Sequence, residues 1–72
     1  MRKSFKMEDL ECAHCAAKME ADISKLEGVN NASISFMTAK LVLDAQDDLF
    51  DQILDQAQAI CRKYEPDCTI LR

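Results

Sequence analysis

The spacing of apolar side chains switches between two periods along this chain, and the order of those switches admits few folds. Ser4-Phe5-Lys6-Met7-Glu8 alternates polar and apolar, which puts Phe5 and Met7 on one side of a short strand. From Ala13 the period becomes helical: Cys15, Met19, Ile23 and Leu26 recur at three or four residues, with Lys18, Glu20, Asp22 and Lys25 outside the stripe. Gly28 stands where the end of that helix wants a residue tolerant of positive φ. Alternation returns at Ala32, Ile34 and Phe36, and again over Lys40 to Asp44 with Leu41 and Leu43 on one face; Met37-Thr38-Ala39 suits a hairpin between them. Asp47 or Asp48 is expected to cap a second helix with the stripe Leu49, Phe50, Ile53, Leu54, Ala57, Ile60, Cys61 and Tyr64. Pro66 stops it, and Asp67 to Leu71 makes a last strand with Cys68 and Ile70 on one face. The predicted order is βαββαβ. This is the α+β, ferredoxin-like pattern, with two helices on one face of a four-stranded antiparallel sheet.

Those elements use up the chain's 72 residues, so a single domain over residues 1–72 is expected. A hydrophobic share of 49% supplies one core and excludes a disordered chain. The only glycine is Gly28, which excludes Gly-rich phosphate loops. No apolar run exceeds three residues such as Leu41-Val42-Leu43, so neither a membrane span nor a signal-peptide core is expected. Thirteen acidic against nine basic side chains give a formal charge of −4, and there is no Trp. A nucleic-acid groove needs a basic stripe with stacking aromatics, and Arg2, Lys3 and Lys6 are too few to make one. The expected module is soluble, monomeric and cytoplasmic.

Four cysteines in so short a chain allow a disulfide framework, but the apolar pattern supplies a core without covalent staples. In a reducing cytosol, Cys12-Ala13-His14-Cys15 reads instead as a metal or redox site. Its two thiols are three residues apart where a loop enters a helix, so both sulfurs can converge on one point. Free N–H groups and the dipole at a helix start favour the thiolate there. Such a pair seats a thiophilic cation: Cu(I), Zn(II), Cd(II) or Hg(II). Two ligands leave a tetrahedron incomplete, which suits transfer, because a partner's thiolates can enter before the first pair leaves. The alternatives are a thiol pair used for redox exchange and a four-thiolate zinc site recruiting Cys61 and Cys68. Those two lie seven apart on apolar faces, where free cysteine behaves as a small hydrophobe, and are expected in the core. No general base reaches the thiols in register and no oxyanion loop is visible, so the domain alone is not expected to be an enzyme.

The run from Lys3 through Leu10-Glu11-Cys12-Ala13-His14-Cys15 to Glu20, followed by Leu26-Glu27-Gly28-Val29, resembles the heavy-metal-associated domain. The resemblance covers nearly the whole chain, from Lys3 to Leu71. It implies a metal-carrying module with Cys12 and Cys15 as ligands, either an N-terminal domain of a heavy-metal-transporting P-type ATPase or a small copper chaperone. Its partners would then be the metal ion, other domains of a transport ATPase, or a cognate metal-transfer protein. Asp9 replaces the family's usual glycine, a position where Asp tolerates the left-handed conformation better than most residues. Lys63-Tyr64-Glu65-Pro66 also departs from the family's Gly-Tyr or Gly-Phe ending in a loop that faces the metal in the family.

Glu11 directly precedes Cys12, and an acid there resembles the zinc-, cadmium- and lead-exporting branch. A third, oxygen ligand suits Zn(II) better than linear Cu(I), so Zn(II) or Cd(II) is the favoured cargo and Cu(I) the alternative. Glu11 is accordingly a candidate ligand and Asp9 a weaker one; the competing reading of both is solvated loop charge. His14 is expected at the surface, Leu10 beneath the loop, and Met7, Met19 and Met37 at core or loop positions without thioether ligation.

Overall fold

The computed structural model describes all residues from Met1 to Arg72. The expected order is realised as β1 (Arg2–Glu8), α1 (Ala13–Ser24), β2 (Val29–Ser35), β3 (Lys40–Ala45), a 3-10 turn over Asp47–Leu49, α2 (Phe50–Tyr64) and β4 (Thr69–Leu71). The four strands form one antiparallel sheet in the order β2-β3-β1-β4. Both helices contribute to one core. Met19 and Ile23 of α1, Ile53, Ala57 and Cys61 of α2, and Met7, Leu41, Leu43 and Ile70 of the sheet are all buried there. Burying a Leu, Ile or Met side chain stabilises by about 1.5–3 kcal/mol, so these positions outweigh any surface ion pair.

Several boundaries differ from the sequence expectation. The Asp47 and Asp48 caps do not form: both residues lie in the 3-10 turn, and the Asp47 carboxylate instead meets the N-terminal ammonium of Met1 at 2.7 Å. No side chain caps α2, whose start is set by burial of Phe50, Ile53 and Leu54. Strand β2 ends at Ser35, leaving Phe36 in the turn and 37% exposed rather than on the core face. Strand β4 begins only at Thr69, with Cys68 buried just before it.

Gly28 has the positive φ expected, +91°, but not the position: α1 ends at Ser24, and Gly28 lies three residues past the Lys25 cap, at the entrance to β2. A Cβ there would lie 2.9 Å from Leu49 Cδ1 and 3.2 Å from Ile53 Cδ1. Asp9 takes φ +59°, so the turn survives without glycine, and Ala39 takes φ +53° in the β2–β3 turn. Left-handed backbone costs a residue with a Cβ about 1–2 kcal/mol. Opposite outcomes are therefore expected from two small changes. Gly28→Ala should lower the urea-unfolding free energy by about 1–3 kcal/mol through backbone strain and overpacking. Ala39→Gly should raise it by about 0.5–1 kcal/mol, since relief of strain exceeds the added freedom of the unfolded chain.

Candidate metal centre

The β1–α1 loop brings the first two donors together. Cys12 is the N-cap of α1, in extended backbone geometry, and its Sγ accepts the Cys15 main-chain N–H at 3.1 Å. The Cys12 carbonyl accepts from Ala16 at 3.0 Å, which closes the first helical turn. A thiol thus does the work usually given to Ser or Asp, at the helix end where negative charge is stabilised. Both thiols are half-buried and free.

Their acidities are driven apart. Hydrogen bonds from the Cys15 thiol and main-chain N–H hold Cys12 below the ordinary thiol range. The same thiol–thiol hydrogen bond, then desolvation and the charge of Cys12, push Cys15 up. Of the two, Cys12 is the readier to give up its proton and Cys15 the slower. A thiophilic ion that takes both sulfurs must displace whatever thiol protons remain.

The second loop supplies a donor that the sequence reading did not single out. Glu65 follows the last residue of α2, and Pro66 behind it requires extended geometry, observed as φ −135° and ψ 102°. A carboxylate oxygen of Glu65 and the sulfurs of Cys12 and Cys15 all lie within 4.8 Å of one another. Both Glu65 oxygens accept the Glu11 main-chain N–H at 3.3 Å. The carboxylates of Glu11 and Asp9, the candidates drawn from sequence, lie outside this cluster. They line a shallow acidic cleft with Glu65 and Asp67, together with Tyr64 and Pro66. A signal for Glu65 was present: an acid fixed in extended geometry by a following proline, in a loop the family turns toward the metal.

The neighbours follow their expected roles. His14 is exposed and Leu10 packs against the core. Met7 and Met19 are buried, while Met37 is 91% exposed at the hairpin tip. Lys63 and Tyr64 turn to α1 rather than to the sulfurs. The Tyr64 hydroxyl donates to Asp22 at 2.5 Å, and Lys63 Nζ lies 4.0 Å from the same carboxylate. Cys61 and Cys68 are fully buried core residues; burial pushes the Cys61 thiol up to about 12 and raises Cys68 as well. No helix is long and apolar enough to cross a membrane.

Comparison with known proteins identifies the family. The heavy-metal-associated domain model matches residues 4–63. The zinc/cadmium/lead-transporting P-type ATPase of Escherichia coli (strain K12) is 42% identical over 52 residues, which are 72% of this chain and 7% of that protein. The chain thus spans less than a tenth of the curated ATPases it matches. The copper chaperone CopZ of Enterococcus hirae is 27% identical over 86% of this chain and 83% of its own. The solution structure of the N-terminal domain of ZntA in its Zn(II) form superposes with a TM-score of 0.68 at 33% identity, covering 96% of this chain and 86% of that one.

The unequal thiols give a direct test. At neutral pH, iodoacetamide should modify Cys12 first, Cys15 more slowly, and Cys61 and Cys68 only after unfolding, because the thiolate is the nucleophile. Peptide mapping against time and pH reads the order; equal rates at Cys12 and Cys15 would contradict the thiol asymmetry.

Proposed function

The chain belongs to the heavy-metal-associated domain family, and we propose that it binds and hands on a soft divalent ion of the zinc, cadmium and lead class through Cys12, Cys15 and Glu65. The observation that carries the reading is the convergence of two sulfurs and a carboxylate oxygen within 4.8 Å, on loops from opposite halves of the fold. The domain would act in the cytosol as the N-terminal metal-binding part of a metal-transporting P-type ATPase. Similarity to the zinc/cadmium/lead-transporting ATPase supports that assignment. Catalysis would belong to other parts of such a protein.

The metal ion is cargo, and the chemistry is ligand exchange. The Cys12 thiolate takes the arriving ion first; Cys15 then binds as its proton leaves to solvent. With Glu65 the ion has three donors and one open position. A partner's thiolate can enter there before either cysteine dissociates, so the ion is never fully released during transfer. Two thiolates neutralise a divalent ion, and a hard oxygen donor suits Zn(II) more than Cu(I). The second reading is a freestanding copper(I) chaperone. Its support is the similarity to CopZ and the sufficiency of Cys12 and Cys15 alone for a two-coordinate Cu(I).

Cd(II) titration followed by sulfur-to-metal charge-transfer absorption should saturate at one ion per chain. Cys12→Ser and Cys15→Ser should each abolish most of the band, and the assignment fails if both variants keep it. Cys61→Ala and Cys68→Ala should keep the band while losing about 1–3 kcal/mol of stability each, as core truncations do.

The choice of metal rests on Glu65. X-ray absorption of the Zn(II) form should show oxygen beside two sulfurs, and Glu65→Ala should remove an oxygen scatterer and weaken Zn(II) binding about ten-fold. Cu(I) affinity should change far less. A Zn(II) shell and affinity that ignore Glu65 would put the copper reading ahead.

A further inference from the structure

Gln58 of α2 uses both ends of its side-chain amide on the main chain. Its Nε2 donates to the Cys68 carbonyl at 2.9 Å, and its Oε1 accepts the Ile70 N–H at 2.8 Å. Those two residues flank Thr69, so the amide meets the outer edge of β4 as a neighbouring strand would. Cys68 also closes a turn. Its N–H donates to the Glu65 carbonyl at 3.0 Å across Pro66 and Asp67, a β-turn with proline at the second position, where its fixed φ belongs. At the other end of the turn, the Glu65 N–H donates to the Cys61 carbonyl at 2.9 Å. Cys61 and Gln58 are three residues apart on α2, so both ends of the turn are held by one face of one helix. We propose that Gln58 is a positioning residue for the metal site: by pairing with Cys68 and Ile70 it fixes the turn that presents Glu65 to Cys12 and Cys15. The proposal rests on the reading of Glu65 as a donor to the ion, and it leaves the Glu11 and Asp9 carboxylates free to join the shell.

A carboxylate at the end of a long side chain amplifies any movement of the backbone that carries it. Glu is also among the side chains that lose most rotamer entropy on ordering, so a turn that wanders adds to the cost of binding. The Cys61 bond fixes one end of the turn. Without the Gln58 amide, the Cys68 carbonyl and the Ile70 N–H must find other partners, and the turn can pivot about the end that remains. Glutamine suits the task because its amide donates and accepts at once, whereas Met offers neither function in comparable strength. Linkage makes the effect reciprocal: an ordered turn that favours the ion is itself tightened by the ion, by the same factor. The other half of the fold supplies a control. Glu20 of α1 accepts the Ile34 N–H of the opposite edge strand at 2.7 Å, but β2 leads into a hairpin that carries none of the three donors.

The test compares Gln58→Met with Glu20→Met, each alone and each combined with Glu65→Ala, with circular dichroism confirming the fold. Gln58→Asn, whose amide is one methylene short, is the milder variant should Gln58→Met not fold. Gln58→Met should weaken Zn(II) several-fold, by less than Glu65→Ala does, because a residue acting through Glu65 cannot cost more than Glu65 itself. Cu(I) affinity should change far less. In the Glu65→Ala background the Gln58 effect should vanish. Glu20→Met should lower urea stability and leave Zn(II) affinity alone. Unaltered protein gives a readout of its own: Zn(II) should slow hydrogen exchange at the Ile70 amide several-fold more than at Ile34, and should lose that preference in Glu65→Ala. Equal Zn(II) losses from Gln58→Met with and without Glu65 would overturn the proposal and spare the three-donor reading. So would a Glu20→Met loss as large as that of Gln58→Met, or Ile70 exchange slowed no more than Ile34. Zn(II) affinity and shell unchanged in Glu65→Ala would remove the three-donor reading itself, and the role of Gln58 with it.

Discussion

The hydrogen bond from the Cys15 main-chain N–H to Cys12 Sγ is where fold and chemistry meet. It starts α1, because an N-cap acceptor satisfies one of the four N–H groups that a helix leaves unpaired. It also fixes the spacing of the two sulfurs, since cap and third residue lie on one face. And it separates the two thiols in acidity: the acceptor is held below the ordinary thiol range, while its neighbour is pushed above it. Cysteine is a weak capping residue while neutral and a better one as an anion. An ion bound at Cys12 as proposed would draw charge from the sulfur and so compete with the cap, which would favour its release.

The rest of the molecule keeps that loop opposite Glu65. Helix α1 is fixed by Met19 and Ile23 in the core, and α2 by Ile53, Ala57 and Cys61. The Tyr64 hydroxyl on Asp22 links the last turn of α2 to α1. The two halves also close their sheet edges alike. Glu20 of α1 accepts the Ile34 N–H of edge strand β2 at 2.7 Å. Gln58 of α2 accepts the Ile70 N–H of edge strand β4 at 2.8 Å and donates to the Cys68 carbonyl at 2.9 Å. Unpaired edge groups invite pairing with another chain, and each helix covers part of its own edge. The two βαβ halves, unlike in residue identity, are thus alike in how a helix side chain meets the edge strand.

Most of the fold was legible because burial enforces period: Met7, Met19, Ile23, Leu41, Leu43, Ile53 and Ile70 are core residues at their expected spacings. Ends of elements were less legible. The Asp47 cap was preempted by an ammonium group 46 residues away in sequence, and Phe36 continues an alternation that the sheet itself does not. Cys12 and Cys15 could be read locally, since three residues at a helix start suffice to bring them together. Glu65 could not. Its distance from the sulfurs is a tertiary fact, set by how α2 ends over the β1–α1 loop, and periodicity carries no information about that.

Charge balance explains why such a site can be both attractive and exchangeable. The charge of Glu65 acts to raise the pKa of both site thiols, so the negative charge that draws a cation also opposes thiolate formation in the empty domain. Binding a divalent ion reverses that conflict: two thiolates cancel its charge, and the carboxylate then meets a positive centre instead of two anions. A monovalent ion leaves the conflict in place, because two thiolates already carry one charge more than Cu(I) supplies. The carboxylate beside them then adds repulsion with no compensating bond. On the reading proposed for Glu65, an acid within reach of the sulfurs would act twice on selectivity, by adding a donor for a divalent ion and by penalising a monovalent complex. Neither effect requires a deep pocket, which this small fold could not build.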